Sequence, residues 1–208
     1  VAWLNRIGRQ PAPVAAAVER PSAADAVERV SPGLTALFDR IAEDRSHAVL
    51  DLGPASDSSL RVFSRFARWV RFADLLAADK SAKGWAEELT SLPSQPVRPY
   101  DLILAWDILD RLDPHERTAL VHRLAEISAP DARLYVVVGS SNDASLQSLR
   151  FSLLDVDRMR FEKTSAPHPN CPALLPAEVE RILEPFHVLR AFTSKVGLRE
   201  YVAVRRTR

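Results

Sequence analysis

Three aspartates in this chain stand where an apolar run stops. Asp51 sits in His47-Ala48-Val49-Leu50-Asp51-Leu52-Gly53, Asp74 closes Trp69 to Ala73, and Asp107 closes Tyr100 to Trp106. A carboxylate at such a place either holds a ligand's hydroxyls, handles a proton, or braces its own turn by accepting backbone N–H groups. Gly53 follows Asp51, and Pro54, Ala55, Ser56 and Asp57 follow Gly53. A glycine at the end of a strand lets another group approach the backbone closely. Asp57 either brings charge to that turn or caps the helix after it. Trp106 is either a stacking surface for a ligand or part of the core. Asp107 is the candidate for handling substrate or a proton, against the alternative that it caps the next turn.

Other reactive residues carry less. His115 and His122 are seven apart on one helix, about two turns, too far for a single metal ion without another ligand. They read as surface histidines, and no metal site is expected. His168 and Cys171 lie in a proline-rich segment; a catalytic thiol needs a base beside it, and none is visible. The single cysteine excludes a disulfide within the chain and argues against a cysteine-based zinc site. There is no phosphate-binding loop with its lysine and no serine nucleophile elbow.

The elements that position the aspartates follow from periodicity. Residues 1–30 open with three prolines and five alanines in the first 21 and read as an arm, with at most a weak helix from Ser22. A single domain is expected over 31–208. Ser31 and Pro32 start a helix whose stripe is Leu34, Leu37, Phe38 and Ile41. His47 to Gly53 reads as a buried strand, Ser58 to Arg68 as a helix and Trp69 to Ala73 as a strand. A helix is expected between Asp79 and Leu92, and a loop over Pro93 to Pro99. The next strand is Tyr100 to Asp107. Asp113, Pro114 and Glu116 then form the best helix start in the chain, with Leu120, Val121, Leu124 and Ile127 on its buried face. A strand follows at Ala132 to Val138, a helix at Leu146 to Leu154, and an irregular stretch at Thr164 to Pro172. A short helix is expected at Pro176 to Pro185. Strands at Phe186 to Phe192 and Leu198 to Arg205, turning near Gly197, end the chain. Strands alternating with helices imply an α/β domain, a mostly parallel sheet covered on both faces, closed by an antiparallel hairpin.

Composition sets the outer bounds. The 208 residues are 47% hydrophobic and 26% charged, with formal net charge +1. That charge gives no field to draw nucleic acid. No apolar run is long enough to cross a membrane. Val1 to Gln10 lacks the apolar stretch of a signal peptide, so a cytoplasmic location is expected.

Val49-Leu50-Asp51-Leu52-Gly53, Asp74 twenty-three positions on, Tyr100 to Leu109, Pro130-Asp131-Ala132-Arg133-Leu134 and Gly197 to Val202 together resemble the class I S-adenosylmethionine-dependent methyltransferases. The resemblance runs from about Leu34 to Arg205. It implies a Rossmann-like fold, S-adenosylmethionine as cofactor, and a cofactor site at Asp51, Gly53, Pro54, Ala55, Asp74 and Trp106, with Asp74 on the ribose. The acceptor is a small molecule or a protein. Two departures stand out. The family's glycine-rich turn keeps only Gly53, with Ala55 and Asp57 at the later glycine positions. Asp101 follows Asp74 by only 27 positions, which shortens the region of the third strand and the adenine pocket. These departures keep open a second reading, a catalytically inactive relative that binds a protein partner, with the N-terminal arm as contact.

Overall fold

The computed structural model describes residues 26–75, 92, 98–140, 149–163 and 173–206. Its elements are β1 (Ala26–Val30), α1 (Pro32–Phe38), β2 (His47–Asp51), α2 (Asp57–Phe63), β3 (Ala67–Phe72) and β4 (Tyr100–Leu104). A 3-10 turn (Ile108–Arg111) leads to α3 (Pro114–Glu126), β5 (Ser128–Gly139), β6 (Leu149–Asp155), β7 (Arg158–Lys163), α4 (Pro176–Ile182), β8 (Phe186–Thr193) and β9 (Leu198–Arg205). Among the described residues the main sheet runs β3-β2-β4-β5-β9-β8. The first four are mutually parallel, and β9 is antiparallel to both β5 and β8. This is the expected Rossmann-like sheet with its terminal hairpin.

Alternation along the strands divides the core in two. Leu50, Ile103, Leu134, Val136 and Val138 face one layer, where Leu120, Val121 and Leu124 of α3 and Val179 of α4 meet them. Their sequence neighbours Val49, Leu102, Leu104, Tyr135 and Val137 face the other, against Leu34 and Leu37 of α1 and Phe63 of α2. Period-two strands buried on both faces give this split directly. The helix start at Asp113 is a full capping box: Asp113 accepts from the Glu116 amide at 2.8 Å, and Glu116 accepts from the Asp113 amide at 2.9 Å.

A second, three-stranded antiparallel sheet, β1-β7-β6, lies over α2 and contributes Phe151, Leu153, Met159 and Phe161 to the second core. It corrects the sequence reading. The described part of the helix expected at Leu146 to Leu154 is instead strand β6, because Leu149, Phe151 and Leu153 alternate inward with period two. Within the expected arm, Ala26–Val30 forms the edge strand of this sheet; residues 1–25, with the weak helix from Ser22, lie outside the described residues. So do nearly all of the helix expected between Asp79 and Leu92, most of the proline-rich loop, and His168 and Cys171. The first helix stops at Phe38, short of Ile41, and α2 stops at Phe63, so that β3 starts two residues earlier than expected. No described helix is long and apolar enough to cross a membrane.

One buried polar knot fastens the N-terminal elements. Glu200 on β9 is 1% exposed. Its carboxylate accepts from the Gly33 amide at 3.0 Å, the Tyr135 hydroxyl at 3.0 Å, the Ser31 hydroxyl and the Arg29 guanidinium at 3.0 Å. Burial, then the Glu200 charge, holds the Tyr135 phenol protonated well above its usual range. A Cβ on Gly33 would come within 2.5 Å of Glu200 Oε2 and 2.8 Å of the Tyr135 ring. We therefore expect Gly33→Ala to cost about 1–3 kcal/mol, the ordinary range for overpacking a core. Urea unfolding measures it, and an unchanged midpoint would show that the knot yields freely.

Candidate functional site

In open parallel sheets, ligands bind beyond the carboxyl ends of the strands. Here that edge is built from the turn after β2, the residue after β3 and the turn after β4. Backbone bonds lock the three together. Leu52 N donates to Leu104 O at 2.9 Å, Ala73 N to Asp51 O at 2.8 Å, Asp74 N to Gly53 O at 3.2 Å, and Val137 N to Trp106 O at 2.8 Å. The expected residues Asp51, Gly53, Asp74, Trp106 and Asp107 therefore converge on one edge. Asp74 and Trp106 both hold left-handed backbone conformations, φ 43° and 47°. Such positions are costly for residues with a Cβ and cluster where a chain must turn sharply.

Asp51 is 1% exposed and faces inward. Its Oδ1 accepts from Trp106 Nε1 at 2.6 Å and from the Gly53 amide at 2.8 Å. These two bonds brace the turn. Burial raises the Asp51 carboxyl to about 7, against the two hydrogen bonds that favour its ionised form. Trp106 is 2% exposed. Its ring stacks on Phe151 at 5.6 Å and 8°, and meets Tyr135 edge-on at 5.7 Å. Of the two readings of Trp106, ligand stack or core, the arrangement matches the core one: the ring stacks on a side chain of β6. A Cβ on Gly53 would meet the indole at 3.0 Å, so the room that this glycine provides is used by Trp106.

Asp107 does not cap the next turn. It is buried and pairs with Arg111 at 2.7 Å, and Arg111 also donates to the Leu149 carbonyl of β6. Its carboxylate thus belongs to the tie between the turn after β4 and the small sheet. Asp57 does not cap α2 either. Ser56 does, accepting from the Ser59 amide at 3.1 Å, while Asp57 stands in the first turn. Pro54 is half-buried and Ala55 exposed; with Ser56 they border an open cleft. His115 and His122 are both exposed. Among the described residues no group of three or more His, Cys, Asp or Glu is placed to hold a metal ion.

Sequence reasoning missed Asp110. Its Oδ2 accepts from the Gly139 amide at 2.7 Å, which joins the turn after β4 to the end of β5. Burial raises this carboxyl to about 7, with the nearby Asp107 charge adding to the effect. Nothing local could have marked it, since its partner lies 29 residues away.

Two carboxyls raised from 3.8 to about 7 bear on stability. Between those values the folded chain binds more protons than the unfolded one, so stability falls as pH rises through the window and levels off above it. Both Asp51 bonds land on Oδ1, which an asparagine retains. Asp51→Asn is expected to flatten the fall and to be more stable than the parent at pH 8. Urea midpoints at pH 5 and pH 8 test this; equal slopes in parent and variant would mean that Asp51 does not titrate there.

No protein-family model and no curated protein matches the sequence. Solved structures do. A Burkholderia thailandensis 1,6-didemethyltoxoflavin N1-methyltransferase, bound to its substrate and S-adenosylhomocysteine, is 18% identical. The match covers 85% of this chain and 77% of that one, with a TM-score of 0.52. An S-adenosylmethionine-dependent methyltransferase from Mesorhizobium loti is 14% identical over 82% of this chain and 96% of its own, also at 0.52. Magnesium protoporphyrin IX methyltransferase from Synechocystis is 16% identical over 83% and 80%, at 0.50. At such identities the likeness speaks for architecture, and the chain has the fold of the class I S-adenosylmethionine-dependent methyltransferases.

Proposed function

We propose that the chain is a cytoplasmic S-adenosylmethionine-dependent methyltransferase acting on a small-molecule acceptor, with its cofactor site at the edge formed by Gly53 to Ala55, Asp74 and Trp106. The observation that carries this reading is the junction of the two strand ends: Asp74 N donates to Gly53 O at 3.2 Å, so the half-buried Asp74 stands directly beside the turn after β2. A carboxylate so placed suits a ribose diol. The fit is divided, however. The Asp74 side and the Pro54–Ser56 side are accessible, whereas Gly53 is covered by the Trp106 indole.

When bound, S-adenosylmethionine supplies a methyl group activated on a sulfonium. The chain's own part is to hold donor and acceptor in line and to exclude water. Methyl transfer is largely positional, and proximity with orientation accounts for much of the rate. A site without an acid–base pair is therefore adequate. Asp51, held by Trp106 and Gly53, fixes the turn and does not reach out to a ligand in this arrangement.

Calorimetry with S-adenosylhomocysteine tests the reading. Micromolar binding is expected, weakened about tenfold or more in Asp74→Ala, the scale of one lost charge-assisted hydrogen bond. One observation favours a second reading, a binding module that kept the fold: the indole seated over Gly53. On that reading neither S-adenosylmethionine nor S-adenosylhomocysteine gives heat or raises the thermal midpoint at millimolar concentration.

A further inference from the structure

The small sheet does more than cover α2. Between its strands β6 and β7 and the turn after β2 lies a cleft of about 400 Å³. That is within the range of small-molecule sites. Its wall is polar and carries three guanidiniums from three elements: Arg61 of α2, Arg150 of β6 and Arg160 of β7. Arg160 is committed to Glu28. Arg61 and Arg150 form no ion pair among the described residues. Glu162, which also lines the cleft, stands opposite Arg150 in the strand register, yet no ion pair joins the two. Asp57 completes the charged lining. Arginine side chains left without a carboxylate partner around a concavity are suited to a planar or tetrahedral oxyanion, which they grip with several donors at once.

The wall is also held in place. Ser59 Oγ receives a hydrogen bond from Ser56 Oγ at 2.8 Å and accepts from the Leu153 amide at 3.0 Å, which pins β6 to α2. Phe151, whose ring stacks on Trp106, is also among the residues that line the cleft. A ligand seated there lies against the turn Pro54–Ser58 on one side and beside Phe151, the stacking partner of Trp106, on the other.

We infer that this cleft is the acceptor subsite, and that the acceptor is a small molecule bearing a carboxylate or phosphate gripped by Arg61 and Arg150. The acceptor role rests on the methyltransferase reading above; the anion site does not. The same chemistry has a second source, the cofactor's own carboxylate, and the experiment separates the two. Inorganic phosphate serves as the probe, titrated by calorimetry into the full chain, the double variant Arg61→Gln/Arg150→Gln, and Arg190→Gln as a control for bulk charge. S-adenosylhomocysteine is titrated in parallel. Both cleft arginines are exposed, so the double variant should keep the parent's thermal midpoint.

The expected result is millimolar phosphate binding, weakened about tenfold in the double variant (~1.4 kcal/mol) and unchanged in the control, with S-adenosylhomocysteine affinity unaltered. No phosphate binding by the parent, or equal loss in the control, overturns the anion site. A parallel loss of S-adenosylhomocysteine affinity overturns the acceptor assignment and gives the arginines to the cofactor. Phosphate binding without any S-adenosylhomocysteine binding upholds the cleft and removes the methyltransferase reading instead.

Discussion

The carboxyl edge of this sheet is organised by one buried carboxylate. Asp51 accepts from the Trp106 indole and the Gly53 amide through a single oxygen. These two bonds join the turn after β2 to the turn after β4, which lie 55 residues apart in the chain. A buried acid costs free energy unless it is bonded or neutral, and here both remedies operate: two donors converge on it, and its carboxyl is raised to about 7. Because Trp106 is held in this way, its ring presents a flat face to Phe151, and the small sheet has a fixed surface on which to dock.

Further polar ties fasten the small sheet, three of them at its margins. Arg111 bridges Asp107 to the Leu149 carbonyl, Ser59 receives the Leu153 amide, and Arg29 of β1 reaches the buried Glu200. All three are polar contacts at the margin of an apolar interface made by Phe151, Leu153, Met159 and Phe161. Burial of those side chains supplies most of the attraction, at roughly 25 cal/mol per Å² of apolar surface removed from water. The polar ties fix where the sheet sits, since a charge or amide left unpaired at a buried margin is costly. The cleft lined by arginines is a consequence of that fixed placement.

The departures from the family's glycine pattern acquire a physical meaning in this setting. Ala55 borders open space, so its methyl meets no obstacle from the chain itself. Asp57 stands in the first turn of α2, where a negative charge complements the helix dipole. Gly53 is the glycine that the packing keeps tight, since a Cβ there would meet the Trp106 indole at 3.0 Å. The turn is thus packed against an internal partner, Trp106.

The sequence alone determined what local rules determine. Apolar runs set the strands of the main sheet, the Asp113-Pro114-Glu116 pattern set the start of α3, and the strand–helix alternation set a parallel sheet with its strand ends, and hence Asp51, Asp74 and Asp107, along one edge. The tertiary structure decided everything that depends on distant partners. It made a strand of Leu149 to Leu154, which had been expected within a helix, because β7 supplies the hydrogen-bond partners that a lone segment lacks. It committed Asp107 to Arg111 and brought Asp110 against Gly139. It also gathered Arg61, Arg150 and Arg160 around one cleft. Periodicity reports which face of an element is buried; it carries no record of which other face that element will meet.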